Sequence, residues 1–515
     1  MQQGIFSQRI HSLIQFFSFA LIAIGMPTTK VLMSFGLVFA IANWVLEGQF
    51  VQKWQIIRSN RTLMLLIGFY VLFIVGVSWS WDTMQGLKDL KSRLPFVFLP
   101  LIVATNPQQQ VKYYYYLLYL FLATLLATSI FNVVYFQLYL KNNIYEDIRG
   151  MSRFASHIRY GLLIVLGICS ACWLQWQAKK WNWGWTALAI WFTFYTFYSA
   201  ILSSILALVL VVVVLLFYFL AQWKKSIAYL FAGSVVVGLG VLLFLVTNIQ
   251  HEKIDCATLP AVTENGVPYN HECDKFSEIN GKTIFAYYSV IELFHEWQKV
   301  SKMDLMRSDK RGGMLRVTCA RYMTAMGLTK DKKGFQQLSA QDIRNIEDGY
   351  TYPNERNELL MPRLYGIKYQ LLNNQDPNGH SLLQRLEHWK TSLYIIQHNW
   401  LLGVGTGGNQ KAFDAAYEAT NSPLSPENRV RSHNLFLTYG VSYGILGALF
   451  FILLMGALLI KAWKSNNLLN ISIVVVLISS FLTEDTVETQ LGVTLFGFFI
   501  ALLFVNWNTT ENKFN

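Results

Sequence analysis

Arg431 and His433 stand two residues apart in the run Arg431-Ser-His-Asn434, where a long polar segment re-enters an apolar one. A fixed cation beside a titratable imidazole suits chemistry on an anionic substrate. A guanidinium is planar, keeps its proton and binds phosphate oxygens bidentately, each charge-assisted bond contributing roughly 1.5 to 3 kcal/mol. A neutral imidazole takes a proton from a hydroxyl, help that typically amounts to about 10² to 10⁴ in rate. If an apolar helix begins at His433, its N-terminus and Arg431 both disfavour the imidazolium and keep the ring ready to accept a proton. The alternative is an interfacial histidine that caps the helix. Arg385 and His388 form a second basic pair, one helical turn apart, and Arg429 precedes Arg431. These read as anion contacts, or as salt-bridge partners and a solvated face. His157 and Arg159, with Arg153 upstream, mark the end of another apolar stretch, where an ionisable pair is either functional or snorkels to the interface.

The elements that must carry these residues are membrane helices. With 53% hydrophobic and 14% charged residues and a mean hydropathy of +0.34, the chain does not fit a soluble globular domain. A bilayer core needs roughly 17 to 25 apolar residues per helix, and about twelve stretches qualify. They are 12–27, 30–47, 62–80, 89–105, 111–139, 157–176, 183–198, 200–222, 226–247, 434–461, 467–482 and 488–507. In 89–105, Lys91 and Arg93 sit at one end and are expected to snorkel. Between 183 and 222 only Ser199 and Ala200 offer a bend. The expected fold is an all-α polytopic membrane protein with one large, mainly helical loop domain between the ninth and tenth helices. The domains are then 1–247, 248–433 and 434–515.

Lysine and arginine in short loops set orientation. Lys53, Arg58, Arg61, Lys112, Lys179, Lys180, Lys224, Lys225, Lys461 and Lys464 lie inside if both termini do, which puts the large loop outside. The net charge of +12 then points to anionic lipid, and nucleic acid is not an expected partner. In that loop a Cys256–Cys273 bridge would close a short ring, leaving Cys319 over, while Cys169 and Cys172 read as helix packing. Apolar spacing predicts helices over 281–300, 336–348 and 381–400. The last carries the stripe Leu382, Leu386, Trp389, Leu393, Ile396 and Trp400, with Ser381 and Gln384 as a capping box. Gly403-Val-Gly-Thr-Gly-Gly408 lacks the context of a nucleotide loop. Its glycines are expected to let the backbone turn sharply and approach another segment closely.

Arg385-Leu-Glu-His-Trp389, Asn399-Trp-Leu-Leu-Gly-Val-Gly405, Arg431-Ser-His-Asn434 and Tyr443-Gly-Ile-Leu-Gly447 together resemble the signature region of the O-antigen ligase and O-antigen polymerase superfamily. Arg153 to Arg159 and Thr483 to Gln490 resemble further segments of Bacteroidetes-type ligase-like members. The resemblance implies metal-independent, inverting glycosyl transfer on the periplasmic face of the bacterial inner membrane. The donor would be a glycan on undecaprenyl diphosphate and the acceptor a lipid A core hydroxyl. It implies His433 as general base and Arg385 and Arg431 as diphosphate contacts; Arg429, Arg159, His157 and Arg153 are further candidates by residue type and position. Many relatives carry an arginine beside a serine in the span matching 200–222. Here Ser203-Ser204-Ile205 stands there and no basic residue falls between Lys180 and Lys224, so that contact is absent or comes from elsewhere, for instance Arg159.

Glu484, Asp485 and Glu488 fall in the last exterior turn. They pair with the loop arginines, or orient His433, or bind sugar hydroxyls; neither a metal nor another cofactor is expected. The two lipid substrates call for a cavity under the exterior domain, open sideways to the membrane, with the 381–400 helix over its mouth. Two rivals stay open: an O-antigen polymerase that uses a lipid-linked glycan as acceptor, and a lipid-glycan flippase, although no internal repeat is visible.

Overall fold

The computed structural model of the 515-residue chain describes residues 7–106, 110–140, 148–247, 254–277, 281–353, 355, 377–379 and 381–507. It is mostly helical, and every expected apolar stretch holds helix: Gln8–Gly25, Lys30–Leu46, Arg61–Val75, Leu94–Ala104, Val111–Tyr135, His157–Gln177, Trp183–Tyr198, Leu202–Trp223, Lys225–Thr247, Leu435–Lys464, Leu468–Thr483 and Gln490–Leu502. Among the described residues, four helices are long and apolar enough to cross a membrane by themselves, or up to five if the bent pair Lys30–Leu46 and Phe50–Ser59 forms one span. Arg61–Val75, Leu468–Thr483 and Gln490–Leu502 are apolar but shorter. Length and composition thus mark a polytopic membrane protein.

Several boundaries differ from expectation. The stretch 89–105 is not one span: Thr83–Ser92 and Leu94–Ala104 meet at Arg93. Pro95 lacks an amide proton, a loss that costs least in the first turn of a helix, and the helix restarts there. The break between the 183–198 and 200–222 stretches falls where it was expected, with Ala200 at φ 49°. Of 281–300, only Val290–Val300 is helical; Thr283–Phe285 forms a strand antiparallel to Glu272–Phe276, as the β-branched and aromatic run Thr-Ile-Phe favours. The chain is therefore not strictly all-α.

Two compact units emerge: Met1–Tyr135, Met151–Lys225 and Gln384–Asn515 in the larger, Phe136–Gly150 and Ser226–Leu383 in the smaller. Residues 384–433, expected with the loop domain, thus fold with the helical unit. In the smaller unit, Cys256 and Cys273 are joined in a disulfide, Cys319 is free and buried, and Trp297, Leu315, Tyr322, Met323 and Ile346 form the core. In the larger unit, Gln8–Gly25 pairs with Lys30–Leu46, and Leu94–Ala104 with Gln490–Leu502. Its centre is aromatic: Phe69, Phe73, Phe96, Tyr439, Phe451 and Phe496 are fully buried, with Phe96 stacked on Phe496 at 4.5 Å and Phe69 edge-on to Tyr439 at 5.0 Å.

The helix Leu435–Lys464 is broken at Tyr443 and Gly444, where Gly444 has φ 66° and ψ −165°. Carbonyls freed at the break accept from the glycine loop: Val404 N donates to Val441 O at 2.9 Å, and Gly405 N to Ser442 O at 2.8 Å. Gly403, Gly405 and Gly407 all have positive φ, and a Cβ on Gly407 would lie 2.2 Å from Gly86 N. Thr406 ties the loop to the helix Arg61–Val75, its hydroxyl donating to Phe73 O at 2.7 Å. The loop thus permits close backbone approach and satisfies polar groups that hydrocarbon would leave unpaired.

Candidate active site

The turn between Leu468–Thr483 and Gln490–Leu502 presents Glu484, Asp485 and Glu488 beside the start of the broken helix. Asn434 caps that helix, its side chain accepting from Phe436 N and Leu437 N while its amide group donates to Leu482 O at 3.2 Å. His433 therefore sits outside the helix, at φ 50°, a left-handed conformation that a non-glycine residue adopts only when its surroundings impose it. Asp485 helps impose it. Its buried carboxylate accepts His433 N at 3.1 Å and the Thr438 hydroxyl.

Two carboxylates each hold two basic side chains. Glu484 accepts Nη2 of Arg385 at 2.7 Å on one oxygen and faces Nδ1 of His433 at 3.3 Å with the other. Glu488 accepts Nη1 of Arg431 at 2.9 Å and pairs with Arg93 through its second oxygen. Arg93 is 3% exposed, lies 3.8 Å from Asp89 and stacks over the Phe73 ring at 4.7 Å. Arg385 and Arg431 each leave 28% of their side chains open. Each fork is thus oriented by a carboxylate and still has N–H groups to offer an anion. Among the described residues no group of three or more His, Cys, Asp or Glu is arranged to hold a metal ion.

The electrostatics of His433 depart from expectation. Burial pushes its pKa down, but the Glu484 hydrogen bond and the charges of Glu484 and Asp485 outweigh that and raise it above the usual 6.5. The lowering expected from Arg431 and the helix end does not prevail, because Glu484 bonds the ring directly and Glu488 engages Arg431. Glu484 is held below the usual carboxylate range: burial raises it, while the His433 bond and the charges of His433, Arg385 and Arg159 lower it further. Burial pushes Asp485 up. A carboxylate only accepts, so Glu484 fixes the proton on Nδ1 and leaves Nε2 of the neutral ring as the basic atom.

His388, at the centre of Ser381–His398, is 2% exposed and not on a solvated face. Its Nε2 lies 3.0 Å from Asn428 O and its ring 5.5 Å from that of His433. Burial, with the charges of His433 and Arg385, takes its pKa down to about 4. Across the helix, Leu386, Leu393 and Trp400 of the apolar stripe are 38%, 51% and 61% exposed, so the polar side faces inward. The Ser381 side chain of the expected capping box lies outside the described residues.

Arg159 faces the charges of Glu484 and Asp485, two residues into the helix that His157 begins. Arg429 turns elsewhere, its Nε donating to Leu424 O at 2.9 Å. Arg153 stacks over Tyr135 at 4.9 Å, and its backbone N donates to Asn132 Oδ1 at 3.4 Å. Sequence reading passed over Asp89 and expected Arg93 to snorkel, whereas it is buried against Glu488 and Asp89. The signal was an arginine within an apolar stretch, which marks function more often than snorkelling.

Residues 351–452 match the family described as O-antigen ligase. The matched segment holds Arg385, Arg429, Arg431 and His433, whereas Arg93, Arg159 and the 484–488 turn lie outside it. No curated protein matches the chain.

Proposed function

We propose, from the premise that this chain belongs to the O-antigen ligase family, that it moves a glycan en bloc from undecaprenyl diphosphate to a lipid A core hydroxyl. Family membership makes it a ligase- or polymerase-type glycosyltransferase of lipid-linked glycans. The finer reading rests on one observation: Glu484 holds both His433 and Arg385, placing a base beside a phosphate-binding group.

Nε2 of neutral His433 takes the proton of the acceptor hydroxyl. The oxygen attacks the anomeric carbon opposite the diphosphate, a new glycosidic bond forms, and the C–O bond to phosphate breaks with its electron pair leaving on the lipid diphosphate. Arg385 and Arg431, aimed by Glu484 and Glu488, stabilise that growing charge, with Arg159 as a further cation. Electrostatic stabilisation of this kind is strongest when the donors are fixed in advance. The anomeric configuration inverts, and guanidinium groups take the charge-stabilising part that a metal has elsewhere. Arg93, being buried, supports Glu488 rather than touching substrate. In this reading the site opens on the periplasmic side of the bacterial inner membrane.

Reconstitution with an undecaprenyl-diphosphate glycan and a lipid A core acceptor, without nucleotide or divalent cation, tests it. A glycosylated acceptor of inverted configuration is expected. Lengthened lipid-linked glycan with an untouched acceptor would instead identify a polymerase.

A further inference from the structure

Beside the carboxylate turn lies an open pocket of about 120 Å³, bordered by Lys30, Ser156, Arg159 and Thr489 and by the apolar Met33 and Phe154. Among the described residues that line it, two are cations and none is acidic. Nε of Arg159 is buried without a hydrogen-bond partner among the described residues. Lys30 and Ser156 stand at the starts of two helices, whose first amides carry partial positive charge. Ser156 makes no side-chain capping bond, so its hydroxyl is not spent on the helix. The wall from Lys30 to Thr489 is held in place by Gln490, whose Nε2 donates to Ser34 Oγ at 2.7 Å.

We propose that this pocket is a second anion subsite, which takes the acidic group, phosphate or carboxylate, of the acceptor glycolipid and rests its apolar part against Met33 and Phe154. The assignment to the acceptor rests on the proposed function, in which Arg385 and Arg431 hold the donor diphosphate. A lipid A core acceptor is itself a phosphorylated amphiphile, so a one-sign cationic pocket with an apolar wall matches its chemistry. Arg159 faces both the pocket and the carboxylates of Glu484 and Asp485. It therefore sets the distance between the two bound lipids.

The test uses the full chain in neutral detergent with three probes: phosphatidic acid, phosphatidylcholine and undecaprenyl diphosphate. Phosphatidic acid is expected to bind in preference to phosphatidylcholine. Lys30→Gln should weaken phosphatidic acid about tenfold or more, the loss of one charge-assisted contact, while undecaprenyl diphosphate keeps its affinity. Lys30→Arg should restore binding, and in the transfer assay Lys30→Gln should raise the acceptor KM with little change in kcat. Unchanged phosphatidic acid binding in Lys30→Gln overturns the proposal, as does an equal loss of undecaprenyl diphosphate. Full displacement by millimolar inorganic phosphate would identify a free phosphate site and overturn the lipid assignment. Because binding is read without turnover, a chain that transfers nothing yet keeps Lys30-dependent selectivity contradicts the proposed function and not the pocket.

Discussion

Glu484 faces Nδ1 of His433 at 3.3 Å while its other oxygen holds Arg385 at 2.7 Å. One carboxylate therefore sets the tautomer of the ring, strengthens it as a base and fixes where the nearest guanidinium points. The first prediction concerns pH. A base must be neutral to act, and the pKa of His433 lies above 6.5, so transfer should rise with pH through that raised value before levelling. In Glu484→Gln the rising limb should move to lower pH and the plateau should fall by about 10- to 100-fold, part of the 10² to 10⁴ that a base supplies. An unmoved limb would mean that the ring does not titrate in the reaction.

The same pair carries a stability prediction with two signs. The raised pKa of His433 contributes stability that is fully present below 6.5 and is lost as pH climbs through the folded value. The lowered pKa of Glu484 contributes stability present above 4.5 and lost as pH falls through its folded value. Thermal unfolding in detergent, compared with His433→Gln, should show the wild-type advantage shrinking toward both extremes of pH.

Glu488 should matter more for stability than Glu484. Removing it leaves Arg93, which is 3% exposed, with only the more distant Asp89 at 3.8 Å, and breaking a buried pair costs up to about 3 to 5 kcal/mol. Glu484 partners Arg385 and His433, which are 28% and 37% exposed, so solvent screens much of that loss. Melting temperatures of Glu488→Gln and Glu484→Gln decide it, with the larger drop expected in the former.

Two glycines of the broken helix should respond in opposite ways. A Cβ on Gly444 would lie 2.3 Å from Leu401 O, at φ 66°, so Gly444→Ala should lower folded yield and melting temperature. Gly456 has nothing within 4 Å of its Cβ position, and alanine there should stabilise by up to about 1 kcal/mol. Equal behaviour of the two variants would mean that the break is not needed.

How far the sequence could be read depended on what each residue type reveals by itself. That Arg385, Arg431 and His433 meet at one carboxylate turn was hinted at by residue type alone, because a basic group at an apolar boundary is costly and needs a partner. The bent helix junction at Ala200 was legible because no other residues there could yield. Arg93 was not, because its partner Glu488 lies 395 positions away and the break at Pro95 hides inside an apolar run. The direction of the His433 pKa depends on tertiary placement of Glu484 and Asp485, which local spacing does not contain. For Ser381–His398, periodicity gave the stripe but not its side. In a membrane protein an apolar face is as much at ease against lipid as against protein, and here the polar face with His388, Thr391 and Ser392 turned inward.

The most direct test of the account measures donor binding and single-turnover transfer side by side in His433→Ala. The account predicts that undecaprenyl-diphosphate glycan still binds, since Arg385 and Arg431 remain, while transfer falls by about 10² to 10⁴. Transfer at near wild-type rate with binding intact would contradict it.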